Sequence, residues 1–289
     1  SIESPTYPWQ HVRRIGEDIV ATELLFPRNH LFSAYDVGAL LSAGIWEVPV
    51  WERVRCAIIP TGDEVLDLTL RPEPGPGQVV ESNSRVLRAL ALGLGCTVAC
   101  RPPVPDNLEA LTRAAEEALA SPAHVVILCA GSSAGSKDYT RRIIESVGTL
   151  LVHGIAAMPG KPSLLGVAKG KLVVGAPGYP VSAVVCFEQI LAPIIAWFGH
   201  QDPPCRQAVS VELTRRTPSK LGQEEFLRLT IGTVPGAKGD RYVATPLGRG
   251  AGLITTMSRA QGMARIPAHS EGVEQGEQVH AELLTPLPR

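Results

Sequence analysis

Two adjacent acids, Asp63 and Glu64, follow a short apolar run and a turn that begins with Thr61 and Gly62. Adjacent carboxylates at the end of a strand can bind a divalent cation, because hard cations prefer oxygen ligands. They can equally accept hydrogen bonds from a ring that is rich in N–H groups. A solvated turn is the alternative for these residues, and the sequence leaves both interpretations open.

A glycine- and serine-rich segment runs from Gly131 to Asp138, after another apolar run and before a helical pattern. Backbone amides at such a strand-to-helix turn can hold a phosphate-type anion, and a plain tight turn is the alternative. The spacing fits neither a P-loop nor G-x-G-x-x-G, which argues against a nicotinamide enzyme. Asp138 is expected across the rim of the sheet from Glu64, where the two could share a cation. The residues expected to contact the anion are Gly131, Ser132, Ser133 and Gly135.

Two further turns combine glycine with proline, at residues 159–162 and 177–180. In the first, Lys161 lies between a glycine and a proline, a stiff setting that can direct its charge at a phosphate; a surface lysine is the alternative. The second precedes a helix in which Ser182 either caps the first turn or contacts a ligand. The other residues of these turns that we expect at the ligand are Pro159, Gly160, Pro177 and Gly178.

Short apolar runs precede three of the four turns, at residues 56–59, 125–129 and 172–175. Apolar residues at helical spacing lie between the runs, as at 83–93, and Asp106 is the expected N-cap of the next helix. Strands that alternate with such helices predict βαβ units and a mainly parallel sheet. Ligands bind beyond the carboxyl ends of parallel strands, so the four turns predict one pocket.

Beyond residue 203 the pattern changes to short β-like runs separated by turns. The predicted fold class is α/β: a mainly parallel, three-layer sheet domain over residues 53–203, followed by a small all-β domain over residues 204–289. Residues 1–52 contain too few apolar side chains for a core of their own, so we expect this segment to pack on the rest of the chain or on a partner. The β-like runs are residues 209–213, 225–231, 242–246, 262–266 and 278–283.

The overall composition argues against several classes of function. A net charge of −1 and an aromatic content of 5% argue against a nucleic-acid binder, which normally carries a basic excess. The six cysteines form no C-x-x-C pair, so we expect buried, reduced thiols rather than a metal site. No signal peptide is recognisable and no apolar run approaches the roughly 20 residues of a membrane span, so a cytoplasmic protein without membrane contact is expected.

Several short motifs, in a fixed order along nearly the whole chain, resemble those of the molybdopterin molybdotransferases, the MoeA and gephyrin E-domain family. Each motif is modest by itself, and their common order makes the resemblance strong. The motifs are residues 16–19, 36–44, 47–50, 59–65, 82–83, 137–140, 159–162, 177–183, 250–252, 265–267 and 271–272.

The resemblance implies insertion of molybdate into adenylylated molybdopterin with release of AMP and a requirement for Mg²⁺. It implies that Glu64 and Asp138 are the acids that hold the cation and that Lys161 contacts phosphate or molybdate. It also implies an elongated homodimer, in which Asp18 comes from the partner subunit, and contact with other molybdenum cofactor biosynthesis proteins. The remaining residues that it implies at the pterin substrate are Thr61, Gly62, Asp63 and Asn83.

The chain departs from the family pattern at Met158, where the family commonly has lysine, at Tyr179, where it usually has asparagine, and in the glycine turn. The inserted N-terminal domain of the family is also missing from this sequence. Because a charge-assisted phosphate contact is worth about 1.5–3 kcal/mol, these departures motivate an alternative hypothesis. On that hypothesis the chain is a non-catalytic molybdopterin-binding carrier or regulatory module with a degenerate active site.

Overall fold

The computed structural model describes residues 5–129, 139–235 and 241–287. The chain forms two compact units, Ser1–Glu52 and Arg53–Arg289. In the first unit, helix α1 (Ala34–Ser42) has no buried residue. Its start is fixed by Asp36, whose carboxylate accepts a hydrogen bond of 2.6 Å from the backbone N–H of Ser33 and lies 3.0 Å from the ring of His30. The hydrogen bond from Ser33, together with His30, lowers the pKa of the Asp36 carboxyl.

The second unit begins with the strands and helices of an α/β fold. Its strands are β1 (Arg55–Pro60), β2 (Val65–Leu66), β3 (Val79–Val80), β4 (Thr97–Cys100), β5 (Val125–Cys129), β6 (Thr149–His153), β7 (Ala157–Met158), β8 (Leu164–Ala168) and β9 (Lys171–Ala176). Its helices are α2 (Asn83–Gly93), α3 (Leu108–Ala120), α4 (Tyr139–Val147), α5 (Pro180–Cys186) and α6 (Ala192–Phe198).

Six of these strands form one sheet in the order β4-β1-β5-β9-β8-β6. Strands β4, β1, β5 and β9 are parallel to one another, and β8 runs antiparallel to both of its neighbours. Every residue of β5 is buried, which explains its continuous apolar sequence. The predicted mainly parallel sheet is therefore confirmed.

Helices cover both faces of this sheet. Leu87 of α2 and Ile195 of α6 belong to the apolar cluster on one face, and Leu111 of α3 and Ile144 of α4 belong to the cluster on the other. Burial of each such side chain contributes about 1.5–3 kcal/mol. The arrangement of helix, sheet and helix confirms the three-layer prediction.

A π-helical turn, Phe187–Leu191, joins α5 and α6 into one helical stretch, Pro180–Phe198. This stretch has 19 residues and a mean hydropathy of 1.8, so by length and composition alone it could cross a membrane. The expectation that no apolar run approaches the length of a membrane span was wrong. Glu188 and Gln189 interrupt the apolar sequence, but the helical stretch continues through them and stays apolar on average. Of its apolar window, 61% is buried inside the protein, as in the core helix of a globular fold.

The start of α3 differs by one residue from the prediction. Asn107, rather than Asp106, is the N-cap: its side-chain oxygen accepts hydrogen bonds from the backbone N–H groups of Glu109 (2.9 Å) and Ala110 (3.1 Å). Asn and Asp are about equally good N-caps, so adjacent residues of these types could not be separated by propensity. The Glu109 side chain pairs with Arg113 one turn later instead of completing a capping box.

The closing part of the chain is a β structure. Its elements are β10 (Ala208–Leu213), β11 (Thr217–Pro218), β12 (Glu224–Val234), β13 (Arg241–Pro246), α7 (Thr255–Arg259), β14 (Gly262–Ile266), β15 (Gly272–Val273) and β16 (Gln278–Leu283). The five predicted β-like runs are thus confirmed as β10, β12, β13, β14 and β16. They pair in the order β13-β10-β16-β14-β12, and β12 also pairs with β13, so the sheet closes on itself.

One strand of this second sheet was not predicted. β7, which comes from the α/β part of the chain, pairs in parallel with the start of β12, with Met158 opposite Glu225. The two-residue strand is too short to give a period-two pattern in the sequence. It connects the turn at 159–162 directly to the closing β structure.

The cysteines are largely as expected. Cys56, Cys96, Cys129 and Cys186 are buried free thiols, whereas Cys100 is half-buried and Cys205 is exposed, which corrects the expectation for Cys205. Burial raises the pKa of the Cys186 thiol to about 11, so this thiol is neutral near pH 7 and unreactive.

Candidate functional site

The carboxyl ends of β1, β5 and β9 meet at one edge of the first sheet. Pro60 of β1 pairs with Cys129 of β5, and Cys129 pairs with Ala176 of β9. The turns that begin at Thr61 and Pro177 therefore leave the sheet at the same edge, on either side of β5. The glycine turn that follows β5, including Gly131, Ser132, Ser133, Gly135 and Asp138, lies outside the described residues.

A cavity of about 510 Å³ opens at this edge. Residues from five separate stretches of sequence line it, so it depends on the tertiary fold. They include Pro60, Thr61 and Glu64 at the end of β1 and in the turn after it, Val79 and Val80 of β3, Glu81, Ser82 and Asn83 at the start of α2, Cys129 of β5, Gly178, Tyr179 and Pro180 at the start of α5, and Gly252 and Ile254 from the closing β part.

The turn after β1 is shaped to hold Glu64. The Thr61 hydroxyl donates to the carbonyl of Cys129 at 3.2 Å, which ties the turn to β5. Gly62 has φ +138°, and a Cβ there would lie 2.7 Å from a methyl group of Val65 and 3.0 Å from a carboxylate oxygen of Glu64. Only glycine fits this conformation and this space. The Glu64 carboxylate thus packs against the Gly62 backbone at the cavity wall.

Asp63 contacts the segment between β4 and α3, whereas its neighbour Glu64 lines the cavity. Its carboxylate accepts a hydrogen bond of 2.9 Å from the backbone N–H of Asp106, in the segment that leads from β4 to α3. Gly62 makes a second tie to that segment by donating to the carbonyl of Val104 at 3.1 Å. Asp63 therefore anchors the rim of the site, and it is not among the described residues that line the cavity.

Asn83 connects two of the predicted turns. Its side-chain amide donates to the carbonyl of Gly178 at 2.7 Å, so the start of α2 fixes the turn before α5. Beside it, buried Glu81 accepts hydrogen bonds from the backbone N–H (2.7 Å) and the hydroxyl (2.6 Å) of Ser84. Sequence analysis missed Glu81, whose only signal is its position just before a helix start. Because the Glu81 carboxylate accepts the hydrogen bond of the Ser84 N–H, that amide at the start of α2 is not available to an anionic ligand.

We expect Asn83→Ala to weaken ligand binding in this cavity more than it lowers stability. Loss of one hydrogen bond costs about 1 kcal/mol of folding free energy, but the freed Gly178 carbonyl lets the turn before α5 move. Urea unfolding and ligand titration of the same protein sample measure the two effects. Asn83→Asp is the matched control: it keeps the size and removes the donor, so it should resemble the alanine variant in binding. Normal binding by both variants would contradict this role.

Comparison with known proteins gives the family. Residues 57–197 match the family described as "Probable molybdopterin binding domain", and residues 210–284 match the MoeA C-terminal region (domain IV). A molybdopterin biosynthesis protein of Methanocaldococcus jannaschii is 30% identical over 284 residues, covering 96% of this chain and 67% of the relative. The chain belongs to the MoeA family.

Other relatives agree with this assignment. A molybdopterin molybdenumtransferase of Haemophilus influenzae is 32% identical over 225 residues, which is 76% of this chain and 54% of the relative. The crystal structure of a molybdopterin biosynthesis MoeA protein from Pyrococcus horikoshii superposes with a TM-score of 0.78 and 29% identity, covering 99% of this chain and 68% of the other. The chain thus spans between about half and two thirds of the length of these relatives.

In this member of the MoeA family, the turn with Lys161 lies at the same sheet edge but outside the cavity wall. β8 follows the turn and pairs antiparallel with β9, with Leu164 opposite Gly175, so the turn opens where β9 ends. Three strand spacings of about 4.8 Å put it about 14 Å from the turn after β1. Lys161 is exposed, and only its backbone carbonyl has a hydrogen bond in the described structure, from Ile155 at 2.9 Å. A ligand that touches both Glu64 and Lys161 must therefore extend along the sheet edge.

The other predicted residues of these turns are buried supports in the described structure. Pro159, Gly160, Pro177 and Ser182 are buried, and the carbonyl of Gly160 accepts a hydrogen bond of 2.7 Å from the Ser163 hydroxyl. They hold the turns in place and do not line the cavity. Of the residues predicted in these two turns, Gly178 lines the cavity.

The described residues alone do not form a metal site. They contain no group of three His, Cys, Asp or Glu side chains that could hold an ion. Of the acids on the described cavity wall, Glu81 is bonded through both oxygens to Ser84, which leaves Glu64. A cation at Glu64 would need a second acid, and Asp138 lies outside the described residues.

Asp18 belongs to the first compact unit. There it lines a cleft of about 450 Å³ together with Arg13, Arg14 and Glu17. Two arginines beside two acids give this cleft a mixed charge, which suits neither a bare anion nor a bare cation.

Proposed function

We propose that this chain acts in molybdenum cofactor biosynthesis as a molybdopterin molybdotransferase, which inserts molybdate into adenylylated molybdopterin and releases AMP. The observation that carries the proposal is the cavity of about 510 Å³ at the carboxyl edge of the sheet, which brings Glu64, Asn83 and Gly178 together. Relatives named molybdopterin molybdenumtransferase favour an enzyme over a non-catalytic carrier.

The proposed roles follow from the placement of the residues. The substrate occupies the cavity between the turns that start at Thr61 and Pro177, and its phosphate reaches the glycine turn after β5. Lys161 contacts phosphate or molybdate further along the edge. Glu64 acts with Asp138 as the acidic pair. A Mg²⁺ ion held by these two carboxylates would offset the negative charge of phosphate and molybdate during the reaction.

The assembly and setting are also proposals. We propose a cytoplasmic homodimer in which Asp18 comes from the partner subunit, with contacts to other molybdenum cofactor biosynthesis proteins. We also propose three domains, over residues 1–52, 53–203 and 204–289. The matched regions at 57–197 and 210–284 support a division between the second and third of these.

The test is release of AMP from adenylylated molybdopterin by the purified chain, measured by chromatography with and without molybdate and Mg²⁺. We expect release only when both are present. Tight binding of the substrate without any release would instead support the carrier hypothesis. Absence of both binding and release would contradict every role proposed for the cavity.

A further inference from the structure

The described wall of the cavity contains one aromatic side chain, Tyr179. It is 52% exposed, although every later residue of α5 up to Cys186 except Pro180 is buried. Val79 and Val80, also exposed apolar residues, line the same cavity. Apolar surface that is gathered in a concave site is typical of a pocket for a ligand with apolar faces.

Contacts on both sides hold the backbone of Tyr179. The preceding carbonyl, of Gly178, accepts the hydrogen bond from Asn83, and the backbone N–H of Val181 donates to the carbonyl of Ala251 at 3.0 Å. The ring itself lies beside Gly252, where an added Cβ would be 3.6 Å from a ring carbon. The backbone that carries the ring is therefore held in place, which lowers the ordering cost when a ligand binds.

We infer that Tyr179 is a specificity-determining residue whose ring stacks on a planar heterocycle of the ligand. The inference rests on the proposed function, whose substrate carries a pterin ring and an adenine ring. Both rings present an extended π face, and such faces stack in an offset or edge-on geometry on tyrosine. The asparagine that is usual in the family at this position has no such face. This chain therefore holds a flat ring more tightly than a variant that carries the family residue.

The experiment measures binding of two probes, pterin and AMP, to the full chain by fluorescence quenching and titration calorimetry. For the ring that stacks, Tyr179→Asn is expected to weaken binding about tenfold, in the range of base–aromatic stacking. Tyr179→Phe keeps the ring and should bind within about twofold of the unchanged protein. The matched control is Tyr242→Asn, which changes an exposed tyrosine of β13 outside the cavity wall and should leave both affinities unchanged.

Ribose 5-phosphate separates stacking from phosphate binding, because it has no base. Its affinity should be the same in all variants. A loss confined to pterin would place the pterin on Tyr179, and a loss confined to AMP would place the adenine there. Equal affinities of Tyr179→Asn and the unchanged protein for both rings would overturn the inference and leave the proposed function standing, as would equal losses in Tyr179→Asn and Tyr179→Phe. If the unchanged protein bound neither pterin nor AMP, the inference would be overturned, whereas the proposed function is tested separately by AMP release from adenylylated molybdopterin.

Discussion

Glu64→Gln is expected to lower molybdate-dependent AMP release at least about 100-fold, the scale of a lost catalytic acid–base group or charge. Glu64 lines the cavity, and no hydrogen bond or ion pair from another described residue engages its carboxylate. Its charge is therefore available for the reaction. Because the side chain is exposed, the free energy of unfolding should change by less than about 0.5 kcal/mol. Initial rates of AMP release, with urea unfolding on the same samples, measure both quantities.

The control for this prediction is Glu73→Gln. Glu73 is an exposed acid of the same charge in the loop between β2 and β3, and it is not part of the described cavity wall. Its amide variant should keep the rate of the unchanged protein. Asp138→Asn should match Glu64→Gln if the two carboxylates act as a pair. A rate in Glu64→Gln equal to that of Glu73→Gln would remove Glu64 from the mechanism.

Local sequence signals were sufficient to predict the strands and the edge of the sheet at which the turns lie. An apolar β-branched run that ends in glycine and proline specifies a buried strand and its exit, and this pattern located the ends of β1 and β9. The closing β structure was predicted because its longer strands are short β-like runs bounded by turn residues.

Contacts between distant residues could not be predicted in this way. Asn83 and Gly178 are 95 residues apart, and their hydrogen bond exists only because α2 and α5 cover the same face of the sheet. The position of Lys161 beyond the cavity wall depends on β8 being antiparallel, which a five-residue apolar run does not reveal. The sequence therefore located the edge of the sheet but not which of its residues face the cavity.

The second large expected effect comes from an ion pair in which the acid, Glu225, is buried. Arg249 makes a bidentate contact with Glu225. Its Nε lies 2.5 Å from one carboxylate oxygen, and its Nη2 donates a hydrogen bond to the other. The Glu225 side chain is only 5% exposed, whereas Arg249 is 43% exposed. Removal of Arg249 leaves a buried carboxylate without its main partner, which costs more than the attraction that is lost.

We expect Arg249→Ala to lower the free energy of unfolding by about 2–3 kcal/mol. This is less than the roughly 3–5 kcal/mol for a fully buried pair, because Arg249 is partly solvated and the buried guanidinium of Arg228 lies close enough to interact with Glu225. Urea unfolding followed by circular dichroism measures the change. Ligand affinity should fall as well, because Arg249 precedes the segment in which Ala251 accepts a hydrogen bond from α5 and Gly252 lies beside the Tyr179 ring.

The neighbouring pair supplies the control for Arg249→Ala. Arg265 and Glu224 are 3.6 Å apart, and both side chains are exposed, so their attraction is screened by water. Arg265→Ala should therefore cost less than about 1 kcal/mol. The two variants remove the same side chain from adjacent acids of β12, and they differ in the burial of the acid that remains. If they destabilised the protein equally, burial of Glu225 would not be the cause, and the segment around Gly252 would need another anchor.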